Sequence, residues 1–358
     1  RTMTIADCDP QISFEKEVYF PGDEVKGRAW VSTTKNLKAT SVEITFSGKT
    51  ITAHNGKKII KDKKCKKGEE TYVEMKHEVW TPEDTENTFP SGDYEWNFSF
   101  ELPKDCPPSF EGKYGFIRYS VLLHIAVPNG KPINVERAVT VSSMVDLNAV
   151  NAHEPAKIHV DNVAEYCHCL PCLPTRGNVI YTLQSPKCGY VAGENVIVSG
   201  QIENGTSKPM KIITAKLTRR ITYREELKAK ANAKKKADGA DGFKSKLEEQ
   251  ILETKIERCN VPARSSKDFA FSFDIPAVVS TIRSSRLLAV EYFVTVWGDT
   301  GTCNRGGVAA LNIIVGNVPL FLGSSSLPPR KFVDGEDAQS WTVDMKPVFT
   351  YQVPYYGH

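Results

Sequence analysis

The sequence predicts an all-β protein built from two tandem copies of one β-sandwich domain. Three observations carry that prediction. The chain aligns with itself at an offset of 171 (Gly22 onto Gly193): Phe20-Pro21-Gly22-Asp23-Glu24-Val25 falls on Val191-Ala192-Gly193-Glu194-Asn195-Val196. Val31, Val42 and Phe46 then meet Ile202, Ile213 and Leu217. At an offset of 173 (Tyr119 onto Tyr292), Trp96-Asn97-Phe98-Ser99-Phe100-Glu101-Leu102-Pro103 falls on Phe269-Ala270-Phe271-Ser272-Phe273-Asp274-Ile275-Pro276, and Val121 meets Val294. So long a period belongs to a duplicated domain rather than a solenoid. The second observation is strict apolar/polar alternation in matching segments, which gives each strand one buried and one wet face. The third is a glycine turn at equivalent places in both copies.

In chain order, Pro21-Gly22-Asp23 is the first turn, where glycine supplies backbone angles other residues resist. Val42-Glu43-Ile44-Thr45-Phe46-Ser47 alternates and reads as a half-buried strand, as does Trp96/Phe98/Phe100/Leu102 against Asn97/Ser99/Glu101. Residues 142–178 lack a sustained period and contain Pro155, Pro171 and Pro174, so they read as the inter-domain connection. Ala192-Gly193-Glu194 repeats the turn. Glu225 to Lys236 has the composition of an exposed helix, its face nearly all Lys and Ala. Phe269/Phe271/Phe273/Ile275 against Ala270/Ser272/Asp274 repeats the aromatic strand. Beyond Gly323, Ser324-Ser325-Ser326-Leu327-Pro328-Pro329 starts a tail. The expected domains are 1–165 and 166–325, with a tail at 326–358.

Composition agrees with an ordinary globular protein: 40% of the 358 residues are hydrophobic and 25% charged. Lys+Arg is 46 and Asp+Glu 43, a net charge of +3, which argues against a wholly polyanion-binding protein. No apolar run is long enough for a membrane helix; the best, Arg286 to Trp297, is broken by Glu291. The chain begins with Arg1 rather than Met, which leaves room for upstream residues, and Arg1-Thr2-Met3-Thr4 carries no apolar signal core. Nine cysteines is an odd number and too sparse for a disulfide scaffold, so reduced thiols in the cytosol are expected. In that compartment the glycosylation-type patterns at Asn97 and Asn204 carry no meaning.

Two further motifs bring in a resemblance. Pro107-Pro108-Ser109-Phe110-Glu111-Gly112-Lys113-Tyr114-Gly115-Phe116-Ile117-Arg118-Tyr119 resembles the signature of the arrestin N-domain. Lys187-Cys188-Gly189-Tyr190-Val191-Ala192-Gly193-Glu194 is similar to the opening of the arrestin C-domain, and Cys167, Cys169 and Cys172 sit where α-arrestins carry a cysteine cluster. The resemblance runs from about residue 5 to about residue 322, on the same duplication found above. It implies two immunoglobulin-like β-sandwiches joined by a short linker. It also implies a non-enzymatic cytosolic adaptor, peripheral at the plasma membrane or endosomes, that binds cytoplasmic segments of receptors or transporters. Many α-arrestins bind HECT-type ubiquitin ligases through Pro-Pro-x-Tyr motifs. Here Pro328-Pro329-Arg330-Lys331 has Lys where Tyr is needed, and Val353-Pro354-Tyr355-Tyr356 lacks the first Pro. A retromer-like sorting scaffold without a ligase link and a thioredoxin-type redox-responsive binding protein are the alternative readings.

The candidate binding residues are two lysine-rich hairpin tips at equivalent places in the two copies. Residues 49–67 hold eight lysines (Lys49, Lys57, Lys58, Lys61, Lys63, Lys64, Lys66 and Lys67) against one acid, Asp62. Residues 228–246 hold seven, including Lys234, Lys235 and Lys236, against Asp238 and Asp241. Such clusters suit phosphate groups or anionic lipid, or simply keep a loop solvated. Aromatic residues do not alternate with the lysines, Phe243 being the one aromatic residue in either run, so nucleic acid is not expected. Cys167, Cys169 and Cys172 are packed or exposed thiols, a partial metal site that Cys188 or His159 would complete, or a redox or lipid site. Arg118, at the start of an apolar strand, is expected to be partly buried and paired, either structurally or as a phosphate-responsive switch. No catalytic motif is present. Ser47-Gly48-Lys49-Thr50 has Glu43 where a phosphate loop needs glycine, and the scattered histidines include His124, which reads as packed in a strand. No cofactor or metal is expected.

Overall fold

The computed structural model describes residues 8–53, 67–83, 85–150, 152–166, 176–226, 243–299, 304–305 and 307–321. Every regular element among them is a strand. The first copy comprises β1 (Cys8–Phe14), β2 (Val18–Tyr19), β3 (Glu24–Thr33), β4 (Leu37–Lys38), β5 (Ser41–Ala53), β6 (Lys67–Trp80), β7 (Thr88–Phe89), β8 (Gly92–Glu101), β9 (Phe110–Glu111), β10 (Gly115–Ala126) and β11 (Ile133–Val141). The second comprises β12 (Ala156–Tyr166), β13 (Arg176–Ser185), β14 (Gly189–Val191), β15 (Asn195–Asn204), β16 (Met210–Glu226), β17 (Phe243–Val261), β18 (Ser265–Asp274), β19 (Leu288–Asp299), β20 (Asn304–Arg305) and β21 (Ala309–Gly316).

The topology repeats as the sequence does. One sheet of the first copy runs β1-β3-β8, and the matching sheet of the second runs β13-β15-β18, extended by β12 and β20. The other sheets run β2-β11-β10-β5-β6 and β14-β21-β19-β16-β17, each with a single parallel pair at its first position. The inward rows predicted by alternation are the cores, Val42, Ile44, Phe46, Phe98, Phe100 and Leu102 in one and Phe269, Phe271, Phe273 and Ile275 in the other, with Trp96 at the rim only half-buried. Residues that alternate in sequence share a face in a strand, so each row removes its side chains from water together.

The duplicated turn shows why its residues recur. Gly22 and Gly193 take φ of +88° and +86°, which side chains disfavour. Asp23 Oδ2 then accepts the Phe20 amide at 3.1 Å, and Glu194 Oε2 accepts the Val191 amide at 3.0 Å. Lys16 and Lys187 pair with these acids and lie over the rings of Tyr19 and Tyr190.

Two expectations change. The stretch read as an irregular connection contains β12, whose Ala156, Ile158 and Val160 alternate and which pairs along its length with β13 in the second copy. Prolines and the cysteine run on either side hid that short period. The expected helix is also displaced: Glu225 and Glu226 end strand β16, opposite Lys244 and Phe243 of β17. The rest of it, 227–236, lies outside the described residues.

Candidate functional site at the domain junction

The arrestin-like motif of the first copy, read from the residues upward, is a device for meeting the second copy. Glu111 on β9 accepts two hydrogen bonds from the Arg118 guanidinium, which lies 3.9 Å from the centre of the Phe116 ring. Arg118 is thus half-exposed and paired, as a charge beside a buried strand must be. Gly112 closes the turn by donating its amide to the Gly115 carbonyl at 2.9 Å. A Cβ on Gly112 would stand 2.2 Å from the Tyr223 hydroxyl of the second copy, and one on Gly115 3.0 Å from the same ring. Tyr114 meets the Tyr223 ring edge-on with centroids 5.6 Å apart, and Lys246 Nζ sits 3.7 Å from the Tyr114 ring centre. Tyr119 donates its hydroxyl to the Pro107 carbonyl, and Tyr292 does the same to Val279 in the second copy.

Beside this contact lies a polar cluster organised by Glu70 of β6. Its Oε2 accepts the Tyr72 hydroxyl (2.9 Å), the Ser285 hydroxyl (2.9 Å) and the Arg286 amide (3.0 Å), and its Oε1 accepts Arg286 Nε at 3.1 Å. Thr50 adds a hydroxyl contact to both Tyr72 and Ser285. The Glu70 side chain is only 11% exposed. Burial pushes its carboxyl up, but hydrogen bonds from Ser285, Tyr72 and Arg286 outweigh that and hold it below its ordinary value. Burial pushes the Tyr72 phenol up, so it remains a donor. On the other side of the junction Asn317 accepts the Val145 amide (2.8 Å) and donates to the Ser143 carbonyl (2.6 Å), fixing the linker.

The junction also gathers the roots of both lysine-rich hairpins. Thr52, near the end of β5, donates to the Arg224 carbonyl of β16 at 2.6 Å, and a Cβ on Gly68 would be 3.0 Å from that same oxygen. The β5–β6 and β16–β17 connections therefore leave from adjacent points. Lys49 is not in the tip: it lies within β5, 3.7 Å from Glu69. Lys67 opens β6 opposite Ala53. Lys57, Lys58, Lys61, Lys63, Lys64 and Lys66 lie outside the described residues, as do Lys234, Lys235 and Lys236.

Cys167, Cys169 and Cys172 also fall outside the described residues. Among those described, no cluster of His, Cys, Asp or Glu is arranged to hold a metal ion. Cys8, Cys106, Cys188 and Cys259 are thiols whose pKa burial pushes up, which leaves them poor nucleophiles. His124 Nδ1 is hydrogen-bonded to Asn134 Oδ1 at 2.7 Å on the sheet surface. Asn204 is buried, and its amide donates to the carbonyls of Lys208, Val261 and Pro262, so its sequence pattern is structural.

The two halves match two family models, "Arrestin (or S-antigen), N-terminal domain" over residues 8–148 and "Arrestin (or S-antigen), C-terminal domain" over residues 175–320. This chain belongs to the arrestin family. Within it, the arrestin is similar to "Arrestin domain-containing protein 17" of Caenorhabditis elegans, 27% identical over 78% of this chain and 64% of that protein. It is similar also to "Arrestin domain-containing protein 1" of Mus musculus, 24% identical over 60% of this chain and 46% of the other. "Arrestin domain-containing protein B" of Dictyostelium discoideum is 23% identical over 61% of this chain and 33% of its own length. The arrestin thus sides with the arrestin-domain-containing, or α-arrestin, branch, and spans less than two-thirds of the length of these relatives. No helix among its described residues is long and apolar enough to cross a membrane.

Proposed function

We propose that this arrestin is a non-enzymatic adaptor that binds cytoplasmic segments of membrane receptors or transporters and links them to endocytic or ubiquitin-dependent sorting machinery. The observation that supports this reading best is the convergence of two basic hairpins at one point of the domain junction. On this reading an anionic target, phosphorylated cargo tail or acidic membrane, engages both segments, whose roots at Thr52 and Arg224 touch. Each lysine near such a surface contributes about 1 kcal/mol, and summation over a cluster makes the contact effective where single residues are not. The reading places the protein in the cytoplasm, peripheral to the plasma membrane or endosomes. Ligase recruitment would use a surface other than Pro328-Pro329-Arg330-Lys331, which lacks the tyrosine a WW domain grips.

Replacing Lys57, Lys58, Lys63, Lys64, Lys66 and Lys67 with Gln is expected to abolish binding to anionic vesicles and to phosphorylated cargo peptides while leaving the melting temperature unchanged. Unchanged binding of both would sink the contact. Proximity labelling in cells is expected to return membrane proteins together with ubiquitin ligases. Labelling dominated by vesicle-coat subunits would favour the retromer-like scaffold instead.

A further inference from the structure

Among the described residues, strand β17 is an edge strand, the last of its sheet, and along its length it pairs only with β16. Long edges with exposed apolar residues invite pairing with another strand, and natural proteins blunt them with charge. The first copy does so. The residues of β6 that share the outer face with β5 are Glu69, Thr71, Glu74, Lys76 and Glu78, all exposed. In the second copy the corresponding outer face of β17 carries Leu247, Glu249, Ile251, Thr254 and Ile256, opposite Thr222, Arg220, Thr218, Lys216 and Thr214 of β16. Leu247, Ile251 and Ile256 are 56%, 52% and 63% exposed. The fold does not demand them, because the first copy builds the same sheet with charged and polar residues there.

The pattern of β17 specifies what covers it. A β-bulge at Leu252 lets Glu253 face Leu217 while Ile251 faces Thr218. Leu247 and Ile256 are an odd number of residues apart and would otherwise point to opposite sides; the bulge returns both to the outer face. It also makes the strand self-complementary. When two β17 strands run antiparallel about a two-fold axis between Ile251 and Leu252, Leu247 of each copy faces Ile256 of the other, Glu248 faces Lys255 and Lys246 faces Glu257. These pairs join residues on the same side of the sheet and the axis doubles each, while at the axis itself outward Ile251 of one copy meets Leu252 of the other, whose side chain packs against the core. The geometry points to a second copy of this chain as the occupant: two molecules join β17 to β17 in a closed, two-fold dimer with one sheet continuous across both. An arbitrary peptide would match the edge's main-chain hydrogen bonds but not this reciprocal set of apolar and charged pairs.

Sedimentation velocity on the full chain tests the register through two double variants of equal severity at exposed positions. The wild type is expected to show a concentration-dependent dimer in the micromolar range. L247E alone weakens it about tenfold, the scale of losing two cross-strand apolar pairs. L247E/I256E places like charges opposite each other and gives a monomer at every concentration, whereas L247E/I256K creates Glu–Lys pairs and recovers the dimer. Thermal melts followed by circular dichroism confirm that all three variants fold. A wild type that stays monomeric overturns the proposal, and so does a dimer that survives L247E/I256E. So do two double variants that behave alike, because only this register makes them differ.

Discussion

Glu70 illustrates how one side chain joins two domains. Its carboxylate gathers donors from its own sheet (Tyr72) and from the second domain (Ser285 and Arg286), with little water to replace them. Because its folded-state pKa lies below the unfolded value, the stability it contributes is complete above the ordinary carboxylate range and is lost as pH falls through the lowered folded value. E70Q is therefore expected to cost about 1–3 kcal/mol at neutral pH and to flatten the acid limb of the stability curve. Chemical denaturation at neutral and acid pH reads both effects; an unchanged acid limb would mean that another carboxylate carries it. The paired tyrosines offer a second residue-scale test. Y119F and Y292F each remove a buried hydroxyl donor to a loop carbonyl and should each cost about 1 kcal/mol by denaturant midpoint, the two values agreeing because the sites are copies. Glu70, Ser285 and Arg286 were not legible in the sequence. They lie in unrelated contexts far apart in the chain, and no period or motif spacing ties a carboxylate in one strand to a hydroxyl in a distant loop.

At the scale of elements, the strands were legible because alternation in sequence is the same fact as sidedness in a sheet. The Glu111-Gly112-Lys113-Tyr114-Gly115 turn shows the limit of that reading: its glycines were recognisable as a motif, but the reason for Gly112 is Tyr223 of the other domain, and a Cβ on Gly115 would meet first the Ile51 carbonyl at 2.8 Å and then that same ring at 3.0 Å. Gly112→Ala is expected to cost about 1–3 kcal/mol through overlap with the Tyr223 hydroxyl, and less in a Y223F background, where that oxygen is gone. A double-mutant cycle measures the difference, and strict additivity would show that the alanine is excluded for some other reason. The helix expected at 225–236 was misread at its start because Glu, Lys and Ala favour helix only where no neighbouring strand competes. Glu225 and Glu226 instead continue a ladder that β17 completes on the other side. The connection 142–178 was misread for the converse reason, since β12 is strand mainly through its pairing with β13.

For the molecule as a whole, the net charge of +3 averages two basic segments against an acidic remainder. Contact with an anionic surface through those segments should therefore weaken steeply with salt, as short-range screening requires. The two domains are held from both sides of the junction, by Glu70 on one and by Asn317 against the linker on the other. Loosening both with E70Q and N317A is expected to increase the radius of gyration in small-angle scattering while far-ultraviolet circular dichroism stays as in the wild type. A radius that does not change would mean that the remaining cross-junction contacts, Tyr114–Tyr223 and Thr52–Arg224 among them, suffice to set the domain orientation. By itself, the sequence determined the duplication, the class of each domain and the inward rows, which follow from periodicity and local turn chemistry, while the family rested on the resemblance of two motifs that the family models bear out. Only the tertiary structure decided which residues of the two copies meet, that the two lysine-rich hairpins leave from one place, and that the outer face of one edge is apolar while its copy is charged. Those facts depend on sheet register and domain contact, which are set by packing between segments distant in the chain and leave no local period to read.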